Sequence, residues 1–375
     1  MHSEPPEVVS LHLENMSENP LPDAQILPAT ARDYKEVMSI SKGIYCGADP
    51  LPSRYHEWLA DPKREMFVAK SEGKVVGFMS FLLVDDGTTA VAEALRVAPW
   101  MRGRGIAGAI QQFSLDFLRS NYPGATRIRF SGTSETPPTI MSRCRKVHSK
   151  SLISVVIPYE QMEEKIKLLE GRLEGVGGRR LPVALSPSEV LRLFEDPCTT
   201  ERLLPKGLLI QSWFPLSTHR SNLELLRQRG VVWLYSQPSA SISEICTGTH
   251  DSPYTPQEPS APIPLSLPIS SSLPNPSIVS HTSCGFLSLG TPPFPVPLGD
   301  GMCRFDIDLF GTDPVSAQSH VLHQLIEMQR VLPAGGGAVC YLFAETSLFP
   351  ELNQFCQGLE PFYKVIEQHV LEIEV

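Results

Sequence analysis

Between Leu95 and Ala109 the sequence reads LRVAPWMRGRGIAGA, a glycine- and arginine-rich turn joining an apolar, strand-like run to an amphipathic helix. Few folds contain such a junction. A strand ending at Val97 and a helix starting at Gly105 leave consecutive N–H groups unpaired and aimed at one point, reinforced by the helix dipole. That arrangement is an anion site suited to a pyrophosphate. Gly103 and Gly105 allow the backbone to approach phosphates without a Cβ, and Arg102 and Arg104 add charge-assisted hydrogen bonds. The Lys-Ser/Thr pair of a P-loop is absent. Gly103, Gly105 and Gly108 spell G-x-G-x-x-G, but after the fourth strand of an antiparallel run, not after the first strand of a dinucleotide fold.

The flanking pattern predicts an α/β (α+β) protein with a mixed, mostly antiparallel sheet. From Gln25 the chain alternates. Thr30 caps a helix over Ala31–Lys42, and Pro50–Ala60 is a second short helix. Strands follow at Met66–Lys70, Val75–Val84 and Thr88–Val97, joined by Ser71–Lys74 and Asp85–Gly87 turns. A helix over Gly105–Ser120 has apolar residues at helical spacing. Then come a strand at Thr126–Phe130, a helix over Pro137–Val147, a β-rich run at Leu152–Ile157 and a charged helix over 160–175. A second α/β unit has strands at Leu208–Phe214, Val231–Tyr235, Cys284–Leu289, Arg304–Phe310, Ala338–Phe343 and Tyr363–Val375. Its helices run from Ser217 to Arg229, from Asp313 to Val331 and over Leu348–Gln357.

Proline interrupts this second unit. Thirteen of the 35 prolines fall between Pro238 and Pro297, mixed with Ser and Thr. The predicted organisation is a flexible leader 1–23, a first domain 24–158, a helical linker 159–197 and a C-terminal lobe 198–375, interrupted by a disordered Pro/Ser-rich insertion 238–283. A net charge of −9 with no long basic run argues against nucleic acid. The one local basic cluster is Arg143, Arg145, Lys146, His148 and Lys150. No apolar run reaches the ~20 residues of a membrane span, and 1–19 lacks the apolar core of a signal peptide. Eight scattered cysteines without C-x-x-C predict reduced thiols in a cytoplasmic protein and no metal site.

Val97, Pro99, Arg102, Gly103, Gly105, Ile106 and Ala107 match V-x-P-x-x-R-G-x-G-[IVL]-[AG], which resembles the acetyl-CoA motif of the GNAT N-acetyltransferases. The likeness narrows at G-I-Y-x-G (Gly43–Gly47), L-P-S-R-Y-H-x-W-L (Leu51–Leu59) and L-R-V-A-P-W-x-R-G (Leu95–Gly103). It resumes at Q-x-W (Gln211–Trp213), S-N-L (Ser221–Leu223) and D-I-D-x-F-G (Asp306–Gly311). Together these segments resemble the vertebrate histidine N-acetyltransferase family. The resemblance implies a GNAT fold with acetyl-CoA as co-substrate and a second, degenerate GNAT-like lobe. Phe310–Asp313 has an acidic cap where phosphate would need positive charge. The acceptor implied is a small-molecule amine, the α-amine of free L-histidine, giving N-acetylhistidine. Protein N-terminal or lysine acetylation, and an acetyl-CoA-binding regulatory protein with weak turnover, stand as alternatives.

By the same resemblance, Leu95, Arg96, Val97, Arg102, Gly103, Arg104, Gly105, Ile106 and Ala107 bind acetyl-CoA, and a strand-four N–H polarises the thioester carbonyl. Glu93 is the candidate base or ammonium-binding group. Tyr45, Asp49, Tyr55 and His56 are candidate acceptor contacts, whereas Trp58 is expected in the core. The segment Ser142–His148 lacks the tyrosine by which many relatives reprotonate the CoA thiolate. His148 is expected at the surface.

Overall fold

The computed structural model describes residues 24–176, 181–204, 206–237, 285–364 and 366–375. The expected leader 1–23 and insertion 238–283 lie outside the described residues.

In the first half, β1 (Ala24–Pro28), α1 (Tyr34–Ile40) and α2 (Leu51–Ala60) precede β2 (Arg64–Ser71), β3 (Lys74–Val84) and β4 (Thr89–Val97). The two predicted turns form as their residues dictate. Glu72 and Gly73 take left-handed φ of 49° and 78°, and Asp85, Asp86 and Gly87 take 53°, 57° and 84°, angles that Gly, Asp and Asn tolerate best. The helix α3 (Ile106–Asn121) then leads to β5 (Arg127–Thr133). Its Phe113 and Phe117 rings lie 5.3 and 5.1 Å from Phe67 of β2.

The helix expected over 137–147 is only one turn, α4 (Pro138–Met141), followed by a long strand, β6 (Arg145–Pro158). Strand pairing dominates there: β6 aligns along its length with β14 (Gly337–Ala344) and β16 (Ile366–Glu374). It also dissolves the basic cluster. Arg145 pairs with Glu372, His148 with Glu345, and Lys150 is fully buried beside Asp308.

After β6 come α5 (Met162–Leu173), β7 (Val183–Ala184), α6 (Pro187–Glu195), α7 (Pro197–Leu203), β8 (Leu208–Gln211), β9 (Phe214–Ser217), α8 (Arg220–Gln228) and β10 (Val232–Ser236). Then follow β11 (Phe286–Gly290), β12 (Phe294–Pro295), β13 (Met302–Phe310), α9 (Pro314–Gln329), β14, α10 (Phe349–Phe355), β15 (Glu360–Pro361) and β16. The expected linker helix α5 packs Ile166, Leu169 and Leu173 into one core with Val321 and Leu325 of α9. The single strand expected over 208–214 is instead the hairpin β8–β9.

The two halves share one sheet of order β1-β2-β3-β4-β5-β16-β6-β14-β13-β11-β10-β7. The last strand is therefore not beside its sequence neighbours. β16 lies between β5 and β6, with Leu371 opposite Phe130 on one side and Lys146 on the other. Apolar Val370 and Leu371, both fully buried, are consistent with this interior position. Among the described residues no helix is long and apolar enough to cross a membrane, and no cluster of His, Cys, Asp or Glu could hold a metal ion.

One buried histidine makes the second half acid-sensitive. His320 of α9 lies between the hydroxyls of Ser288 (2.8 Å) and Ser236 (2.9 Å). Burial, helped by His323, pushes its pKa down to about 3. A depressed pKa means that the neutral ring is the folded form, so its contribution is complete above the unfolded pKa of about 6.5 and is lost as pH falls toward 3. Unfolding free energy from urea titrations should drop by roughly 2–3 kcal/mol between pH 7 and 4.5 on this account. A His320→Gln variant should lack that slope; an unchanged slope would acquit the histidine.

Candidate active site

β4 and β5 run parallel but stay paired only at Thr89–Arg127, Ala90–Ile128 and Val91–Arg129. Beyond Val91 they splay. On its other edge β4 carries a bulge, because Phe78 faces Arg96 whereas Ser80 faces Glu93, one residue too many on β4. Ala94 takes up the excess at φ 58°, and such bulges re-aim side chains and release ladder groups. The Arg96 guanidinium locks it, donating to the Ala94 carbonyl (3.0 Å) and to Asp49 Oδ1 (2.6 Å).

At the outer end of the wedge, Gly103 and Gly105 are left-handed (φ 71° and 78°), and Gly105 is the N-cap of α3 without a side-chain cap bond. A Cβ at either glycine would meet nothing within 4 Å, so backbone conformation rather than crowding requires them. The tight approach is elsewhere: a Cβ on Gly77 of β3 would lie 2.9 Å from Ile106, which seats α3 against the sheet. Arg102, Gly103 and Arg104 are exposed and Ile106 is buried, so the turn lies at the surface on a fixed base.

The splay opens into a cleft bounded by Tyr45, Trp58, Glu93, Arg96, Phe130 and Trp213 among others. Glu93 Oε2 lies 2.7 Å from Arg64, whose guanidinium is almost fully buried, stacks 4.0 Å from the Trp58 ring centre and donates to Ser80. Tyr45 sits on a left-handed turn with Cys46 (φ 50° and 54°), and its ring is nearly parallel to that of Trp213 (6.3 Å, 15°).

Other expected contacts fall elsewhere. Tyr55 is fully buried in the core and donates to the Thr30 carbonyl (2.8 Å), so its hydroxyl is engaged away from the cleft. Asp49 is also buried, its Oδ1 shared by Arg96 and the Leu51 N–H, which makes it a strut under the cleft. His56 is exposed and stacks on Tyr34. Trp58 packs in the core as expected and also lines the cleft. His148 is half-buried and paired with Glu345 on β6, not free at the surface.

A family model for the GNAT acetyltransferases matches residues 31–139, and one for the C-terminal part of histidine N-acetyltransferase matches 179–260 and 276–345. Probable N-acetyltransferase 16 of Homo sapiens is 32% identical over 370 residues, covering 94% of this chain and 88% of the human protein. The chain belongs to the GNAT N-acetyltransferases. Histidine N-acetyltransferase of Xenopus tropicalis is 29% identical, over 92% of this chain and 94% of that protein. A tandem GNAT protein from the clavulanic acid biosynthesis pathway matches with a TM-score of 0.50 at 12% identity, covering 94% of this chain and 98% of its own; it supports the fold alone.

The halves of this acetyltransferase differ where the co-substrate matters. The second half repeats the strand–helix–strand order in β13, α9 and β14, yet those strands pair over seven rows from Met302–Gly337 to Asp308–Phe343. No wedge opens between them. The Asp313 carboxylate accepts from the Ser316 N–H and occupies the end of α9. Several site residues escape a local reading. Arg64 falls just before the strand expected at Met66–Lys70, and Trp213 stands in what reads as one continuous strand. Arg304 pairs with Asp306 two residues along (Nε–Oδ1 2.8 Å) and reaches the Ala48 carbonyl (3.1 Å), 256 positions away. The Q-x-W segment contains Trp213, and the D-I-D segment contains Asp306, the partner of Arg304.

Proposed function

We propose that this acetyltransferase moves the acetyl group of acetyl-CoA to the α-amine of a free amino acid, L-histidine, giving N-acetylhistidine. The relatives' names support the acceptor. The observation that carries a small-molecule reading is the cleft itself, whose far wall, Trp213, comes from the second half and faces Tyr45 of the first. A peptide acceptor would need an open groove there.

The residues present fit acetyl-CoA. Residues 24–158 bear the wedge, and in this reading the splayed backbone of Leu95, Arg96 and Val97 receives the pantetheine arm. Arg102, Gly103, Arg104, Gly105, Ile106 and Ala107 hold the pyrophosphate at the start of α3. When bound, acetyl-CoA supplies the activated thioester. The β4 backbone freed by the bulge donates to its carbonyl oxygen as negative charge develops. Glu93 holds the acceptor ammonium and takes its proton directly or through water. The α-amine of a free amino acid is mostly protonated near neutral pH, so this proton must leave before the amine can attack. The CoA thiolate leaves without a tyrosine, water returning the proton. The second lobe, its paired strands lacking a wedge, binds no co-substrate and buttresses the first. No metal is required, and the unpaired thiols of the six described cysteines suit a cytoplasmic setting.

The test is purified protein with labelled acetyl-CoA against the twenty free amino acids and a peptide panel. Transfer to histidine is the expected result. Transfer to peptides alone would replace this reading by protein acetylation, and binding without transfer by a regulatory role.

A further inference from the structure

We infer that Trp213 is the specificity-determining residue of the acceptor cleft, and that the acceptor class it selects is α-amino acids carrying a planar, π-bearing side chain. This deepens the acceptor reading above and rests on it.

Trp213 is the sole residue of the second half in the cleft lining, among the described residues. Its position is enforced by two other strands. Ser212, which turns β8 into β9, takes a left-handed φ of 58°, an unfavourable angle for serine. Such a conformation persists where its surroundings over-determine it. Asp308 Oδ2 accepts from the Ser212 N–H at 2.6 Å, Gln368 Nε2 donates to its carbonyl at 2.8 Å, and Arg304 Nη2 donates to its hydroxyl at 3.2 Å. Strands β13 and β16 thus clamp the one residue that aims the indole.

The indole is braced rather than engulfed. Phe343 meets it edge-on (5.7 Å, 89°), while Tyr45 stacks nearly parallel beside it at the cleft wall. Tyr45 is itself held in a left-handed turn, so both rings are presented on strained backbone. The indole Nε1–H is buried and has no acceptor among the described residues. A buried donor left unpaired is costly, and a ligand atom can satisfy it. A flat ring bearing a heteroatom meets both demands: a π surface beside the indole–tyrosine pair, and a lone pair for the N–H. Glu93, in the same cleft, supplies the anionic partner for the ammonium.

The experiment compares kcat/KM for planar-side-chain amino acids with that for branched aliphatic ones in the wild type, Trp213→Leu and Trp213→Phe. Leucine keeps bulk but loses the π face and the N–H. The planar acceptors should lose roughly tenfold in Trp213→Leu, through KM, while aliphatic acceptors change little. Trp213→Phe should recover part of the loss. Equal losses for both classes, or none, would overturn the inference. Should the leucine variant not fold, fluorescence decides: with CoA present, a planar acceptor should change the indole emission of the wild type more than that of Trp213→Phe, in which Trp58 is the cleft indole that remains. No difference between them overturns it equally. If the wild type acetylates no free amino acid, the acceptor reading itself has failed. If it does so and the planar preference ignores Trp213, only this inference falls.

Discussion

Replacing Glu93 by Gln is expected to lower kcat by about 10²–10³-fold, as loss of a positioned proton acceptor does, with acetyl-CoA affinity nearly unchanged. The expectation comes from where Glu93 stands. It is on β4 beside the bulge, across the sheet from α3 and the phosphate turn, and it faces the acceptor cleft. The loss should shrink as pH rises past the amine's own pKa, because the acceptor then loses its proton to solvent. A group that only attracts the ammonium would show its loss mainly in KM. Glutamine also removes the counter-charge of Arg64, whose side chain is 1% exposed. Thermal melts must accompany the kinetics, and an Arg64→Gln variant separates the two effects by disturbing the pair while keeping the carboxylate. Near-wild-type turnover in Glu93→Gln would remove Glu93 from the chemistry.

Asp306→Ala should be the most destabilising single change on the other side of the cleft. Arg304 is 1% exposed, grips Asp306 with two nitrogens (2.8 and 3.1 Å) and stacks 4.1 Å from the ring centre of Tyr341. Breaking a buried pair by deleting one partner costs about 3–5 kcal/mol, since the remaining charge has no counter-ion. That is a large part of the ~5–15 kcal/mol by which a folded protein exceeds its unfolded state. The double variant Asp306→Leu with Arg304→Met should regain most of this, because apolar residues of similar size often replace a buried pair without loss. Activity should not return with stability. Arg304 also ties the Ala48 carbonyl, next to the Tyr45 turn, to the Ser212 hydroxyl, next to Trp213. Urea titrations and acceptor KM for the two variants would show whether stability and cleft geometry part in this way. A double variant with normal KM would mean the tie is dispensable.

What was legible in the sequence was what is local. The Glu72-Gly73 and Asp85–Gly87 turns, the glycine pair before α3 and the Asp313 cap each need particular residue types at one place in the chain. The predicted strands and helices around them fall within a few residues of those observed. The misses were set by partners far away. Tyr55 could equally have faced ligand or core, and its hydroxyl found Thr30 instead. Residues 145–147 have no strong local preference, and β16 recruits them into a strand. Ser212 breaks Leu208–Phe214 into a hairpin because a carboxylate 96 positions later, Asp308, holds its N–H. Nothing local marks Arg64 or Arg304 as buried, and only the assembled sheet encloses them.

The insertion of β16 beside β5 also bears on how the protein is made. Arg129 of β5 and Glu372 of β16 meet at 2.8 Å across 243 positions of sequence. A ribosome adding about 5–20 residues per second needs roughly ten to fifty seconds to bridge that interval. During it the nascent β5 has an open edge of the kind that other chains can pair with. The half bearing the acetyl-CoA wedge is synthesised first, yet it is finished last.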